Sequence, residues 1–489
     1  MLETIRALEK RARELDPGAG ERLALFEQAQ AYAEAFLGDL PGKDTYVKDQ
    51  GRKGFDADEI IDEAADFSGL LKTFRDEADT TGILPASGGQ MGYIPGGGLF
   101  PSAIGDFLAA VSNRYSGVAF AGPGAADMEG ALVRWMCRLA GYPETASGDL
   151  TSGGSMATLS ALVTARDALE IDYRAIPRSC VYMTAQAHHC VGTALHVAGL
   201  KDVQRRTVPM DDRFRMDTAA LDAMVAEDLE AGLRPWLLVG SAGTTDTGAV
   251  DPIGELAATS KKHGLWFHLD AAYGGFFMLT EEGRKVLAGI NEADSIVMDP
   301  HKGLGLPYGT GAVLVKKRRL LANAYNYYAD YMQDAIPAQR SLDGPYSPAD
   351  YSAELTRHFR GPRMWFPLKL FGLAPFRASL EEKIWLARYF HREIGQIEGF
   401  EAGPEPELSI VTFRYRPAKG DADEFNRQLV AAVHEDGKVF ITSTRIDGVF
   451  TLRLAVLNFR THLEQVDYLL DLLRRKAAEL EVALKAGAG

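Results

Sequence analysis

The chain has 489 residues, with 53 Lys and Arg against 67 Asp and Glu and a formal net charge of −14, and it is 46% hydrophobic. That is too long for one hydrophobic core, so two or three domains are expected, and the composition is that of a globular protein. An acidic surface disfavours nucleic acid and anionic lipid, no run approaches the ~20 apolar residues of a membrane span, and Cys137, Cys180 and Cys190 have neither metal spacing nor even pairing.

Residues 1–85 read mainly as helices. Leu23, Leu25, Phe26, Ala29, Ala33 and Phe36 recur at helical spacing, and Ile60, Ile61, Ala64 and Leu70 extend the pattern. The opening Met1-Leu-Glu-Thr-Ile-Arg6 is charged and carries no targeting segment, so a cytoplasmic location is expected. A Gly/Pro-rich break follows at Ile94–Pro101.

From there short apolar strands alternate with helical segments. The strands are Cys180–Met183, Trp236–Gly240, Leu265–Leu269, Ser295–Met298 and Gly311–Val315; the helices between include Thr158–Leu169, Thr218–Glu230 and Gly254–His263. Such alternation predicts a mostly parallel sheet covered by helices. The basic run Lys316-Lys-Arg-Arg319 fits a solvated strand-to-helix junction. Beyond about residue 373 the pattern becomes antiparallel: Leu408–Arg414, then Val439–Thr444 and Val449–Val456 joined through Asp447-Gly448, then a helix carrying Val466, Leu469, Leu470, Leu472 and Leu473. The expected architecture is α/β: a helical segment (1–85), a large α/β domain (86–372) and a C-terminal α+β domain (373–489).

In open α/β sheets ligands bind beyond the carboxyl ends of the strands. Here those ends deliver polar side chains: Gln186-Ala-His188-His189, His268-Leu-Asp270 and Asp299-Pro-His-Lys302. A lysine and an aspartate at neighbouring strand ends suggest pyridoxal phosphate, because the amine can form a Schiff base with its aldehyde and the carboxylate can hold its ring nitrogen protonated. Thr151-Ser-Gly-Gly-Ser155, opening a helix, can cradle a phosphate. Each residue alone has a plainer reading: Asp270 as a turn cap, Lys302 as a surface lysine, the glycine loop as an ordinary turn. His188-His189-Cys190 looks like a metal site, but adjacent strand residues point to opposite faces, so no metal is expected. The order of loop, histidine, aspartate and lysine at successive strand ends is what the plainer readings do not explain.

With those blocks on the page, the chain resembles the group II pyridoxal-phosphate decarboxylases, among them the aromatic-L-amino-acid decarboxylases. Gly243-Thr-Thr245, Ala271-Ala-Tyr-Gly274, His358-Phe-Arg-Gly-Pro-Arg-Met-Trp-Phe366 and Pro404-Glu-Pro-Glu-Leu-Ser409 extend the resemblance over nearly the whole chain. It implies fold type I, with Lys302 as the Schiff-base lysine, Asp270 as the ring-nitrogen partner, and His188 stacked on one ring face opposite the Ala272 methyl. Gly154, Ser155, Asp299 and His301 would surround the phosphate, and Thr245 would lie near the phenolic oxygen.

The resemblance further implies that a loop tyrosine lent by a neighbouring subunit protonates Cα. Tyr331 is the candidate, with Tyr325, Tyr327, Tyr328 and Tyr351 close by. The implied protein is a homodimer, with residues 1–85 as its arm, that converts an L-amino acid, aromatic in its side chain, to the amine and carbon dioxide. Two departures from the family pattern bear on substrate: Gly303 after the lysine, and a bare Tyr93-Ile-Pro-Gly-Gly-Gly98 where a pocket of Tyr93, Ile94 and Gly96 is expected; a third, Met156 after the phosphate loop, is expected to have little consequence. Competing readings are a decarboxylating aldehyde synthase, which in such families accompanies loss of the loop hydroxyl, a decarboxylase of a non-aromatic amino acid, an aminotransferase, and a silent scaffold protein.

Overall fold

The computed structural model describes the chain except residues 50, 58, 59, 61, 95, 326–343, 488 and 489. The N-terminal part holds helices α1 (Leu2–Ala12), α2 (Ala19–Asp39) and α3 (Phe67–Ala78), with a two-stranded ladder of β1 (Tyr46–Val47) and β2 (Gly82–Ile83). The expected helical run through Ile60 and Ala64 does not form. Asp66 caps α3 by accepting from Gly69 N, so the helix begins only at Phe67, and Ile60 is exposed. Ile61 lies outside the described residues. Two further helices, α4 (Phe100–Ser112) and α5 (Pro123–Leu139), lead into the main sheet.

Seven strands form that sheet: β3 (Ser147–Thr151), β4 (Ser179–Met183), β5 (Gln204–Thr207), β6 (Arg234–Ser241), β7 (Trp266–Asp270), β8 (Ser295–Met298) and β9 (Gly311–Val315), in the order β3-β9-β8-β7-β6-β4-β5. The run from β8 through β5 is parallel, while β9 is antiparallel to both β3 and β8. Strands covered on both faces need no polar side, which is why the expected ones read as apolar runs. Alternate residues feed two apolar layers: Leu269, Ile296 and Leu314 on one face, Trp266, Val297 and Val313 on the other. Helix α6 (Gly154–Ala168) packs across the second face.

A four-stranded antiparallel sheet follows, β10-β11-β13-β12, from β10 (Phe400–Ala402), β11 (Ile410–Tyr415), β12 (Thr442–Ile446) and β13 (Val449–Ala455). Its hairpin turns at Asp447-Gly448, both at positive φ (49° and 80°), the I′ geometry that matches strand twist. Among the described residues no helix is long and apolar enough to cross a membrane, and the three cysteines are buried and free.

A buried ion cluster ties the segment that follows residue 343 to the base of β3. Arg357, fully buried, lies 3.2 Å from Glu129 Oε2 and 2.5 Å from Asp149 Oδ1, and it also donates to Leu150 O. Glu129 Oε1 accepts from Arg360 N at 2.8 Å and Gly361 N at 3.1 Å. Burial outweighs the Arg357 guanidinium and pushes the Glu129 carboxyl up from 4.5 to about 7. A carboxyl that holds its proton more tightly folded than unfolded withdraws stability as pH rises between those two values. Thermal stability is therefore expected to fall from about pH 5 to about pH 7.5, and to fall less steeply in Glu129→Gln, whose amide oxygen still accepts from both backbone amides. An identical slope in the variant would remove Glu129 as its source.

Candidate active site

The first wall of the site is made where β3 turns into α6. Gly154 presses against the Asp299 side chain and Gly153 against β9: a Cβ on Gly154 would sit 2.7 Å from Asp299 Oδ2, and one on Gly311 would sit 2.4 Å from the Gly153 carbonyl carbon. Only a bare backbone closes on β9 so tightly. No side chain caps α6, so its first-turn N–H groups are available to an anion, with the helix dipole behind them.

The second wall comes from the end of β8. Asp299 is 1% exposed, and its Oδ2 accepts from Lys302 Nζ at 3.0 Å. Its Oδ1 is buried with no hydrogen-bond partner. Burial works against the Lys302 ammonium, but Asp299 and Asp270 outweigh it and hold its pKa above the usual lysine value. His301 donates from Nδ1 to Thr310 O at 2.5 Å, and burial lowers its pKa against the pull of Asp299.

At the end of β7, Asp270 Oδ1 accepts from Ala272 N at 3.1 Å. Past β4, the Cys190 amide donates to His188 Nδ1 at 3.2 Å, so the ring proton of His188 sits on Nε2. Burial lowers the His188 pKa and Asp270 opposes it, leaving a neutral imidazole. Gln186 Oε1 accepts from Thr244 Oγ1 and Thr247 Oγ1, fixing the loop that carries Thr245 to the loop that carries His188.

These groups converge on one cavity of about 330 Å³, lined by Gly154, Ser155, His188, Thr245, Asp270, Ala272, Asp299, His301 and Lys302. All nine residues expected around a cofactor are thus brought together. Ser152, Gly153, Met156, Thr158, Cys190, Gly243 and Tyr273 also line it. Most of these adjoin the quoted blocks, but only packing marks them. Tyr273, for instance, hydrogen-bonds Ser409 through Oη and so joins two blocks far apart in sequence. Among the described residues no group of three His, Cys, Asp or Glu side chains could hold a metal.

Other expected positions lie elsewhere. Tyr93 is 59% exposed with its ring 6.1 Å from Phe440, Ile94 packs against the core, and neither lines the cavity. Gly96 packs behind the lysine turn, where a Cβ would meet His301 O and Leu306 O, each at 3.1 Å. Gly303 likewise faces away: its Cβ would lie 2.7 Å from Phe276 Cβ, so the missing side chain enlarges no pocket around Lys302. Tyr351 is buried and stacked on Tyr346, and Tyr325 is largely packed; neither lines the cavity. Tyr331, Tyr327 and Tyr328 lie outside the described residues.

An uncapped helix N-terminus, a reachable amine, a carboxylate and a neutral imidazole around one cavity fit pyridoxal phosphate, and Asp299 Oδ1 is a buried polar atom still lacking a partner. Comparison with known proteins agrees. The family described as pyridoxal-dependent decarboxylase conserved domain matches residues 88–416. An aromatic-L-amino-acid decarboxylase of Bacillus atrophaeus is 32% identical over 398 residues, covering 80% of this chain and 82% of that protein. A phenylacetaldehyde synthase of Arabidopsis thaliana is 28% identical over 377 residues, covering 74% and 76%. The solved structure of Oryza sativa TDC with PLP and tryptamine shares the fold, with a TM-score of 0.88 at 24% identity over 95% of this chain and 99% of that one. The chain belongs to the pyridoxal-dependent decarboxylase family, and pyridoxal phosphate is its cofactor.

Proposed function

We propose that this protein decarboxylates an aromatic L-amino acid to the amine and carbon dioxide. The observation that carries the reading is the convergence of Lys302, Asp270, His188 and the α6 N-terminus on one cavity. The substrate class is drawn from the name of the Bacillus atrophaeus relative. Pyridoxal phosphate, when bound, supplies an aldehyde for the lysine amine and a ring that takes up the electron pair left as the carboxylate departs.

The chain's residues do the rest. Lys302 must shed a proton before Nζ can bond, and Asp299 Oδ2, 3.0 Å away, orients the amine within the cavity. Asp270 holds a positive ring nitrogen by its negative charge. His188 and Ala272 line the cavity and would cover the two ring faces, and the His188 Nε2–H offers a donor there. The α6 N-terminus with Ser155 would hold the phosphate, and Thr245, which lines the same cavity, would serve the phenolic oxygen. Tyr331 donates the proton that replaces carbon dioxide at Cα.

We read residues 1–85, 86–372 and 373–489 as arm, cofactor domain and C-terminal domain of a cytoplasmic homodimer. In support, α1 has no buried residue yet exposes Leu2, Ile5 and Leu8, and α4 exposes Phe107, Leu108 and Val111. Apolar faces of that kind are covered by a partner more often than by water.

The test is to load the protein with pyridoxal phosphate, supply a panel of L-amino acids, and quantify carbon dioxide, amine, aldehyde, ammonia and peroxide together. Amine and carbon dioxide in equal amounts without peroxide are expected. Aldehyde with ammonia and peroxide would favour the second reading, an aldehyde synthase, for which the Arabidopsis thaliana relative speaks. Tyr331→Phe is expected to divert product from amine toward aldehyde and peroxide; unchanged amine yield would remove Tyr331 from the proton step.

A further inference from the structure

Strand β7 carries a second polar side chain behind Asp270. Trp266, His268 and Asp270 alternate onto one face of the strand, and His268 is wholly buried. Its protonation can be deduced atom by atom. The Trp266 indole can only donate, and it donates from Nε1 to Ser295 Oγ at 2.9 Å. Ser295 Oγ also lies 2.9 Å from His268 Nδ1. Ser295 is wholly buried and its hydroxyl meets no other acceptor among the described residues, so its one proton goes to Nδ1, which is then the ring's acceptor. The ring proton is thereby placed on Nε2. Burial drives the imidazole pKa down to about 4, against the pull of Asp270, so the ring is neutral and carries that single proton. The Nε2 atom is buried and has no hydrogen-bond partner, Asp270 included, so its donor is free to engage that carboxylate only on a small movement of either side chain.

A buried N–H donor left unmade is costly, so one locked in place by a dedicated relay points to an acceptor. Asp270 is the carboxylate two residues along the same face, and its Oδ1 is the oxygen engaged by Ala272 N. We propose that His268 is a positioning residue, locked as the Nε2–H tautomer by Trp266 and Ser295, that donates to Asp270 and holds its carboxylate against the ring nitrogen of bound pyridoxal phosphate. The proposal rests on the reading of Asp270 given above. It assigns the tryptophan and serine to the site, although neither lines the cavity.

The experiment compares dissociation constants of pyridoxal phosphate and its 1-deaza analogue, in which CH replaces the ring nitrogen, on the full-length protein. His268→Phe keeps a planar ring without the donor and is expected to weaken pyridoxal phosphate by roughly tenfold, the scale of one hydrogen bond to a charged group, while changing the deaza analogue by less than about twofold. His268→Gln, which returns an amide N–H near the Nε2 position, is expected to recover most of the loss. Ser295→Ala frees Nδ1 to take the proton and is expected to give the same pattern at smaller size, so the proposal stays testable if His268→Phe does not fold. Equal weakening of both cofactors would reduce His268 to a packing residue and overturn the proposal, as would no weakening of either. Asp270→Asn is the control: it is expected to weaken pyridoxal phosphate and spare the deaza analogue, and if it weakens both equally the Asp270 reading is wrong and the role of His268 falls with it.

Discussion

Replacing Lys302 by arginine is expected to lower turnover by at least roughly 10³-fold, as when the covalent group of a catalytic unit is removed, while leaving thermal stability nearly unchanged. The two readouts separate because Lys302 has two jobs. In the proposed function its Nζ is the amine that would bond the cofactor, and in the structure it is the cation paired with Asp299, which is 1% exposed and has one oxygen already without a partner. Arginine keeps the charge beside Asp299 but cannot serve as the amine. Lys302→Ala removes both, so it should be equally inactive and also less stable by roughly 1–3 kcal/mol, the cost of leaving a buried acceptor unpaired. Borohydride treatment followed by mass measurement should find the cofactor attached to the wild type and to neither variant. A Lys302→Arg protein that still acquired the adduct and turned over within about tenfold of wild type would transfer the role to another lysine.

Removing the Arg357 guanidinium is expected to give the largest loss of stability of any single ion-pair change among the described residues. Arg357→Met leaves Glu129 and Asp149 buried and facing each other, and breaking a buried pair from one side costs on the order of 3–5 kcal/mol. By contrast, Arg13→Ala breaks a pair whose side chains are 76% and 52% exposed, and the denaturant midpoint is expected not to move measurably. The cost should couple to the site, because Asp149 stands two residues before the end of β3, where the phosphate loop begins. Weaker cofactor binding in Arg357→Met is the expected companion effect. The triple variant Arg357→Met, Glu129→Gln, Asp149→Asn removes all three charges together and should regain a large part of the loss, since the uncompensated charge, more than the missing contact, carries the penalty. If the single and triple variants were equally unstable, packing would be the cause instead.

The chemistry of the site was legible in the sequence because His188, Asp270, Asp299 and Lys302 stand just past the ends of apolar strands, and strand ends are where such sheets bind ligands. Val181–Met183 before His188, Trp266–Leu269 before Asp270 and Ser295–Met298 before Asp299 and Lys302 are buried on both faces and so read as strands from composition alone. Two strands of the same sheet were not legible. Ser147-Gly-Asp-Leu-Thr151 has a single large apolar residue and is buried partly because Arg357, more than two hundred positions later, neutralises Asp149. Gln204-Arg-Arg-Thr207 has none and is a strand only because β4 pairs with it at the sheet edge. The three-residue β10, Phe400–Ala402, is likewise held by its pairing with β11 rather than by its own pattern.

The glycines divide along the same line. Gly153 and Gly154 were recognisable as a phosphate loop by position before a helix, whereas Gly96 and Gly303 look like openings in a pocket and are in fact contacts with the lysine turn and with Phe276. A missing side chain has no direction in the sequence; which neighbour it makes room for is settled by chain segments that arrive from elsewhere. The sequence by itself determined which groups could do the chemistry, because residue type and strand-end position are local. Only the tertiary structure decided that Asp299 pairs with Lys302, that Arg357 holds the base of β3, and that His268 carries its proton on Nε2. The last two depend on distances of a few ångströms between residues that the chain keeps far apart, and the first on the short turn that brings two residues three positions apart into contact.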